Sequence, residues 1–541
     1  MYLKNSLNLI NEFLNISTNQ IKKIYFKSSL YNNKISRIEI SNIGYKPSLS
    51  ILSCLVKYDK KKLKIEELDR ENIWEDKLLN KINSDKLNNF YWLFSIDLKS
   101  SSKITQSIIE RWLDKNESYN TENWQIDTLS KRIISWIANS KLSYDNSETK
   151  YKNKFNFSVN KQVNHLINEI TKSKLVDDKL LGCTAIIITG LAYENQKFLN
   201  YGLDLLKKII LNSFDNDYFP KTRSIRQLNF YLKYFVVVRE LLKESFNNIP
   251  DYLDEIIFYL GKSYSSFSDL KQSLLFNGNH QNDLIEFNSY LSHHKYKFNN
   301  NNKEVGGYAI LKNKNNILAM DIGSSPPKKF SNNYQSGVLS FEFFYKESKL
   351  ISNSGYFQDY NNKLNIISKS TAAHSSLIID NHSSCSFKST DKYKILENGL
   401  KTNDKRIVNE KDYWLIKASH NGYLKKYGII HERCIEFIVD KNKLMGKDKI
   451  ISKKGLSGKT FDIRFHMFPG IKLTKTLDNK TILIELENSG WRFTSDYKTF
   501  NIESGLYFGN KNLSLENQNI CISGEIKKEI QEIKWEFEKI Q

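Results

Sequence analysis

Apolar residues recur along this chain with two different periods, and the change between them divides it. From about residue 85 to residue 270 they return every three or four positions. Ile108, Ile109, Trp112 and Leu113 make one such stripe, and Trp124, Leu129, Ile133 and Trp136 begin another. Further stripes run through VNHLINEI, LLGCTAIIITGLAY, FLNYGLDLLKKIILNSF, RQLNFYLKYFVVVRELL and DYLDEIIFYLGKSY. This spacing predicts about seven successive amphipathic helices of about 10–20 residues, joined by short polar links and packed as antiparallel neighbours. Pro250 before Asp251 is a natural helix start.

The stretch FNNNNK, residues 298–303, closes that half, and beyond it the period falls to two. GVLSFEFFYKESKLIS, HSSLIIDN, YWLIKASH, ERCIEFIVDKNKLMG, KTFDIRFHMF, KTILIELEN, QNICISGEI and IKWEFEKI alternate apolar and polar positions between Gly, Asn, Asp and Lys turns. So many strands without intervening helices predict an antiparallel β-sandwich. The expected organisation is a mixed segment over 1–85 packed on the helical part, a helical domain over 86–302 and the sandwich over 303–541.

Composition changes this picture little. Of 541 residues, 81 are Lys or Arg and 60 Asp or Glu, giving a net charge of +21. Only 11 of the cations are Arg, and Asn and Ile are abundant while Pro numbers 6. The charge therefore reads as a drift of the whole composition; it favours anionic partners without identifying one. Dispersed lysines and the lack of any nucleic-acid motif argue against a nucleic-acid binder. The five cysteines are far apart and form no C-x-x-C, so neither a disulfide framework nor a thiolate zinc site is expected. No signal-peptide pattern and no apolar run of about 20 residues is visible, which predicts no membrane span and a cytoplasmic protein, with the cell envelope or periplasm as the alternative. Phosphate-loop, dinucleotide, zincin and nucleophile-elbow motifs are absent.

Against that background the histidines and arginines become informative. Five of the nine histidines fall in the β half: His374, His382, His420, His431 and His466. In FDIRFHM, alternation places Asp462, Arg464 and His466 on one strand face, about 7 Å apart. A solvated sheet face explains that pattern as well as a polar cleft does. His420 and His431 bracket HNGYLKKYGIIHER, whose Asn421-Gly422 suggests a hairpin that gathers His420, His431 and Arg433. His374 follows the small residues of STAAHSS, which allow close backbone approach, and is the first choice for a site residue. Arg223 and Arg226, scarce cations together at a loop and helix start, suggest a carboxylate or sulfate contact.

Taken in order, several segments resemble the heparinase II/III family of polysaccharide lyases. STAAHSSLIID, Ser370–Asp380, is similar to the family's T-A-A-H-[NS]-[ST] signature. GVLSFEFFYKESKLISNSG, ASHNGY, GIIHERCIEFIVD, FDIRFHMFPGIK, NSGWRFTSD, LYFG and IKWEFEKI follow its pattern, as do NWQIDTLSKRIISWIA and DYFPKTRSIRQLNFYLKYF in the helical half. The likeness runs from about residue 85 to the end. It implies an incomplete α/α toroid followed by an antiparallel β-sandwich. It also implies β-elimination on a uronic-acid polysaccharide or oligosaccharide, in which a base removes the proton α to the carboxylate and nearby donors neutralise that carboxylate.

On this reading His374, His420, His431 and His466 are the expected catalytic groups. Arg223, Arg226, Arg433, Arg464 and His280 are the expected substrate contacts, and the four imidazoles with Arg223 are expected to line one trough. The family's tyrosine base has no counterpart in LLFNGNHQND. At the positions of its zinc or calcium ligands the chain carries Asn333, Gln335 and Asn353, so no metal cofactor is expected. A glycan-binding or envelope-assembly protein that has lost the elimination chemistry is the alternative on the same scaffold.

Overall fold

The computed structural model describes residues 20–37, 41–56, 74, 81–96, 101–268, 270, 272–281, 283–359, 362–389, 394–452, 458–487, 489–510 and 513–540. The chain forms two compact units, Met1–Asn212 with Phe230–Ile257, and Ser213–Asn229 with Phe258–Gln541.

The first unit is helical. The three-and-four period becomes the helices Ser102–Lys115, Ile126–Ala138, Thr149–Glu169, Val176–Ala192 and Gln196–Ser213, followed by Ile225–Glu244 and, starting directly after Pro250, Asp251–Ser268. Val176–Ala192 is buried along nearly its whole length from Leu180 onward and is apolar on all sides, as a central helix must be. It packs against Ile126–Ala138, where Arg132 is wholly buried yet saturated: Nε donates to Gln162 Oε1 (2.8 Å), Nη1 to the Asn88 carbonyl (2.8 Å) and Nη2 to the Asn123 carbonyl (2.9 Å). Its guanidinium lies 4.3 Å from the Trp112 ring centre. The described residues of 1–85 contribute helical pieces such as Ser29–Ile35 and Leu49–Leu52; the remainder of that segment lies outside the described residues.

In the second unit the change from helix to strand falls between Leu284–His293 and Glu304–Val305. Among the described residues the strands build a nine-stranded and an eight-stranded sheet with a separate two-stranded ribbon, and every pair is antiparallel. The first sheet includes Phe341–Tyr345, Ser348–Ser352 and Thr460–Met467, with Leu377–Ile379 attached to the last. The second includes Ile530–Lys539, Lys443–Ser452, Ile429–Ile438 and Tyr413–His420 in that spatial order. Their apolar faces meet in one core: Phe343 contacts Phe437, Phe341 stacks on Trp535, and Phe465 packs on Phe537.

The expected hairpin forms, with His420 opposite His431. Its connection is longer than a two-residue Asn-Gly turn. A short helix, Leu424–Tyr427, intervenes and ends at Gly428, whose φ of 71° suits the residue after a helix.

Candidate functional site

Most of the residues singled out in the sequence converge, but inside the sandwich. The strand Lys443–Ser452 turns Leu444, Gly446, Asp448 and Ile450 inward. Asp448 is therefore a carboxylate in the core, and it is met from the two strands on either side, Ile429–Ile438 and Ile530–Lys539. Arg433 donates Nε to Oδ1 (2.8 Å) and Nη2 to Oδ2 (3.0 Å), His431 Nε2 lies 2.6 Å from Oδ1, and Trp535 Nε1 donates to Oδ2 (2.8 Å). His420 Nε2 stands 3.2 Å from His431 Nδ1. Gly446 is required beside this cluster, because a Cβ there would fall 2.0 Å from the Trp535 ring. Burial alone would raise the Asp448 carboxyl, but Arg433 and His431 hold it well below the usual carboxylate range.

The remaining guanidinium nitrogen of Arg433 reaches the STAAHSS segment: Nη1 donates to the Ser375 carbonyl (2.6 Å) and the Leu339 carbonyl (2.9 Å). His466 closes the same segment from the other sheet, with Nε2 2.9 Å from the Ala372 carbonyl and its backbone N–H donating to Ser375 Oγ (2.9 Å). His374 Nδ1 binds the Ser370 carbonyl (2.8 Å), and its ring lies so close to Gly337 that a Cβ there would meet Cδ2 at 2.5 Å. His374, His420, His431, His466 and Arg433 are all buried. The expected open trough of imidazoles is thus corrected: the groups form a brace in which Arg433 and His466 grip residues 370–376 and His431, with His420 behind it, backs Arg433 through Asp448. The cause is the strand pleat, which points His420, His431 and Arg433 of the hairpin into the inter-sheet space, while His466 lies on the opposite face of its strand from the core residues Phe461, Ile463, Phe465 and Met467 and is covered by the 370–376 segment.

Arg223 is also structural in its contacts. It takes a left-handed backbone (φ 59°), pairs with Asp321 (2.6 Å) and donates to the carbonyls of Gly306, Gly307, Gly323 and Ser324, pinning the loop of residues 214–224 to the first sheet. His280 Nε2 meets the Tyr507 hydroxyl at 2.7 Å. Arg464 stays on the outward face of its strand between Asp462 (3.6 Å) and Glu503 (3.4 Å).

Burial gives the brace a pH dependence. It pushes His374 down to about 4 and, with His374 and Arg464 adding repulsion, His466 down to about 3; His420 and His431 also fall below the ordinary 6.5. The unfolded chain then binds more protons than the folded one between pH 6.5 and about 4, so stability is complete above 6.5 and is lost as the pH drops through that window. For His374 alone the loss at pH 5 is about 2 kcal/mol. His374→Gln, which keeps a donor for Ser370, is expected to flatten the acid limb of a melting-temperature profile; an unchanged limb would show that this ring is not buried neutral.

One predicted cation does reach open space. Arg226, in the first turn of Ile225–Glu244, lines a small cavity of about 150 Å³ together with Asn277, Gly278, Asn333, Tyr356 and Gln358. Tyr356 follows Gly355, whose φ of 82° turns the chain after Ser348–Ser352 into the cleft. Burial raises the Tyr356 phenol, and Asn365 and the Arg226 charge pull the other way. The walls are fixed by their own bonds. Asn277 Nδ2 donates to the Tyr308 hydroxyl (2.7 Å) while its Oδ1 accepts from the Gln335 N–H (2.8 Å), and Asn279 Nδ2 donates to the Tyr356 carbonyl (2.5 Å).

Beneath the cleft lies Lys369, buried and lowered to about 7 by desolvation and by Lys394. Its ammonium donates to the carbonyls of Asn332 (2.5 Å) and Tyr334 (3.1 Å), on either side of Asn333, and sits 5.6 Å from the Tyr356 ring centre. Sequence reasoning reached Arg226 but missed Tyr356, in a loop, and Lys369, the last residue of the short helix Lys363–Lys369; the Gly355-Tyr356 pair after a strand was the one signal for the former.

The positions matching the family's metal ligands do not fit a metal. Gln335 spends its amide on the Gly355 and Ser368 carbonyls (2.8 and 2.6 Å). Asn353 donates to Glu342 (3.0 Å) and accepts from the Ser375 N–H (3.0 Å). Gln335 Oε1 and His374 Nε2 are buried without a hydrogen-bond partner, but His374 is the single ligand here of the type zinc takes, and the two amides offer calcium no carboxylate cage. Among the described residues no group of three His, Cys, Asp or Glu is placed to hold a metal, and no described helix is long and apolar enough to cross a membrane.

Comparison with known proteins agrees with this architecture. A heparan sulfate lyase HepC mutant from Pedobacter heparinus superposes with a TM-score of 0.69 at 14% identity, covering 94% of this chain and 87% of the other. A heparinase III superposes at 0.68 and 13% identity, covering 94% and 88%. A second heparinase III does so at 0.65 and 12%, covering 90% and 86%. No curated protein sequence matches the chain significantly. These likenesses establish the fold, helices followed by antiparallel sheets as in the polysaccharide lyases. The model of the family described as heparinase II/III-like, C-terminal, matches residues 299–536, and the β-rich half of this chain is therefore a heparinase II/III-like C-terminal domain.

Proposed function

We propose that the protein acts on a uronic-acid-containing polysaccharide or oligosaccharide by β-elimination, in the cleft of Arg226 and Tyr356. The observation that carries the reading is the presence, in one cavity, of a guanidinium able to neutralise a carboxylate and a phenol able to move a proton. His420, His431 and His466 are held by partners within the brace, and this reading gives the proton transfer to the cleft. With the uronate carboxylate on Arg226, the Tyr356 oxygen as phenolate takes the proton α to the carboxylate. The electron pair forms the new carbon–carbon double bond, and the glycosidic oxygen departs with a proton returned from the phenol. Lys369 holds Asn333 and the Tyr356 ring in place from below.

A second reading, binding without cleavage, has one observation in its favour: burial raises the Tyr356 phenol and so disfavours the phenolate. Incubation with heparan sulfate, alginate and hyaluronan separates the two. Elimination leaves an unsaturated uronate with a new ultraviolet absorbance, expected to grow with at least one glycan. A flat trace on all three, with glycan retained by the protein, would replace the lyase by the binder.

A further inference from the structure

A second cleft, of about 330 Å³, opens at the other end of the same loop. Asn216, Asp217, Tyr218 and Phe219 line it from the loop, Tyr259, Lys262 and Ser263 from the helix Asp251–Ser268, and Asn300, Asn302 and Glu304 from the segment leading into the first strand. We propose that this cleft is a separate saccharide-binding subsite for a pyranose residue without a carboxylate, a hexose or N-acetylhexosamine, held against the Tyr218–Tyr259 pair.

Three observations carry it. The two phenol rings stack with centroids 4.7 Å apart and planes 5° from parallel, and Tyr259 keeps 39% of its surface exposed. The loop that presents Tyr218 is rigid: the Asp215 carboxylate accepts the N–H groups of Asp217 (3.0 Å) and Phe219 (2.8 Å), and Tyr218 is held at φ 57°, a conformation a bulky residue rarely adopts. Below it the Phe219 ring fills the space over Gly306, where a Cβ would meet it at 2.4 Å, so the floor cannot collapse.

The lining then selects the ligand. Flat aromatic surface takes the apolar C–H face of a sugar ring, and amides, a hydroxyl and carboxylates around it take the sugar hydroxyls. An anionic residue is disfavoured, because Asp217 and Glu304, the latter already paired with Lys405, face the cleft while its one lining cation, Lys262, stands over the Phe258 ring at 5.3 Å. Arg226 supplies the opposite chemistry in the first cleft. One loop thus ends in a cation-bearing cleft and in an aromatic, carboxylate-bearing one, an arrangement suited to a glycan that contains both acidic and non-acidic residues.

Saturation-transfer NMR on the full chain, with methyl β-N-acetylglucosaminide and methyl β-glucuronide as probes, tests the assignment. Transfer from protein to the ring protons of the N-acetylglucosaminide is expected in the wild type and in Tyr259→Phe, and to weaken about tenfold or more in Tyr259→Ala. Tyr259 is substantially exposed, so an unchanged melting temperature will certify the folded variant. No transfer to that probe in the wild type, equal transfer in Tyr259→Ala, or binding of the glucuronide alone at this cleft would each overturn the proposal. None of these readings depends on turnover, so failure of the lyase reading leaves the result intact.

Discussion

Replacing Asp448 with alanine is expected to cost the second unit about 3–5 kcal/mol, the largest stability effect of any single side chain in the brace. The carboxylate is fully buried and receives Arg433 through both oxygens, His431 and the Trp535 N–H. Removing it strands a guanidinium that has no exposed surface, and His431 loses the acceptor that fixes its tautomer. Asp448→Asn keeps the shape and one acceptor and is expected to cost less. Asp448→Ala combined with Arg433→Met is expected to recover much of the loss, because no unpaired charge is then buried. Chemical denaturation of the three variants measures the order. A midpoint unmoved in Asp448→Ala would mean that the pair is not closed in the folded protein.

The largest functional effects are expected in the first cleft. Tyr356→Phe removes one oxygen and leaves the ring packed against Lys369; turnover is expected to fall by about 10²–10⁴-fold with substrate affinity nearly intact, the signature of a lost acid–base group. Arg226→Ala is expected to weaken both affinity and turnover, the latter by about 10²-fold, since the guanidinium meets the carboxylate in the ground state and the growing charge in the transition state. Steady-state kinetics on whichever glycan is cleaved separates the two patterns. Equal losses in affinity and unchanged turnover for both variants would assign the cleft to binding alone.

The architecture was legible because it rests on period. Helices such as Ile126–Ala138 and strands such as Thr460–Met467 show their buried faces in the spacing of apolar residues, and the passage from helix to strand between His293 and Glu304 follows from the change of period, although the two compact units divide elsewhere. Thr402–Asn409 escaped, since as the last strand of its sheet it is largely exposed and carries no apolar alternation. The scarce arginines were a sound guide to buried or clustered charge, and Arg226 faces a cleft. The imidazoles misled for a reason visible in hindsight. Strand pairing did gather His420, His431 and Arg433, but Lys443–Ser452 alternates with Asp448 at an inward position, so a carboxylate was waiting for them in the core. Tyr356 had no comparable signal, because a loop after a left-handed glycine has no repeating pattern from which to infer where its side chain goes.

The brace also fixes what can be exchanged by recombination. Thr371–Ser376 is gripped by Arg433 of one sheet and His466 of the other. A chimera that imports this short segment from a distant sandwich must import Arg433, Asp448 and His466 with it, although they stand some 60 to 90 positions further along the chain. The smallest transplantable module of this half is therefore set by a polar lattice and not by any contiguous stretch of sequence.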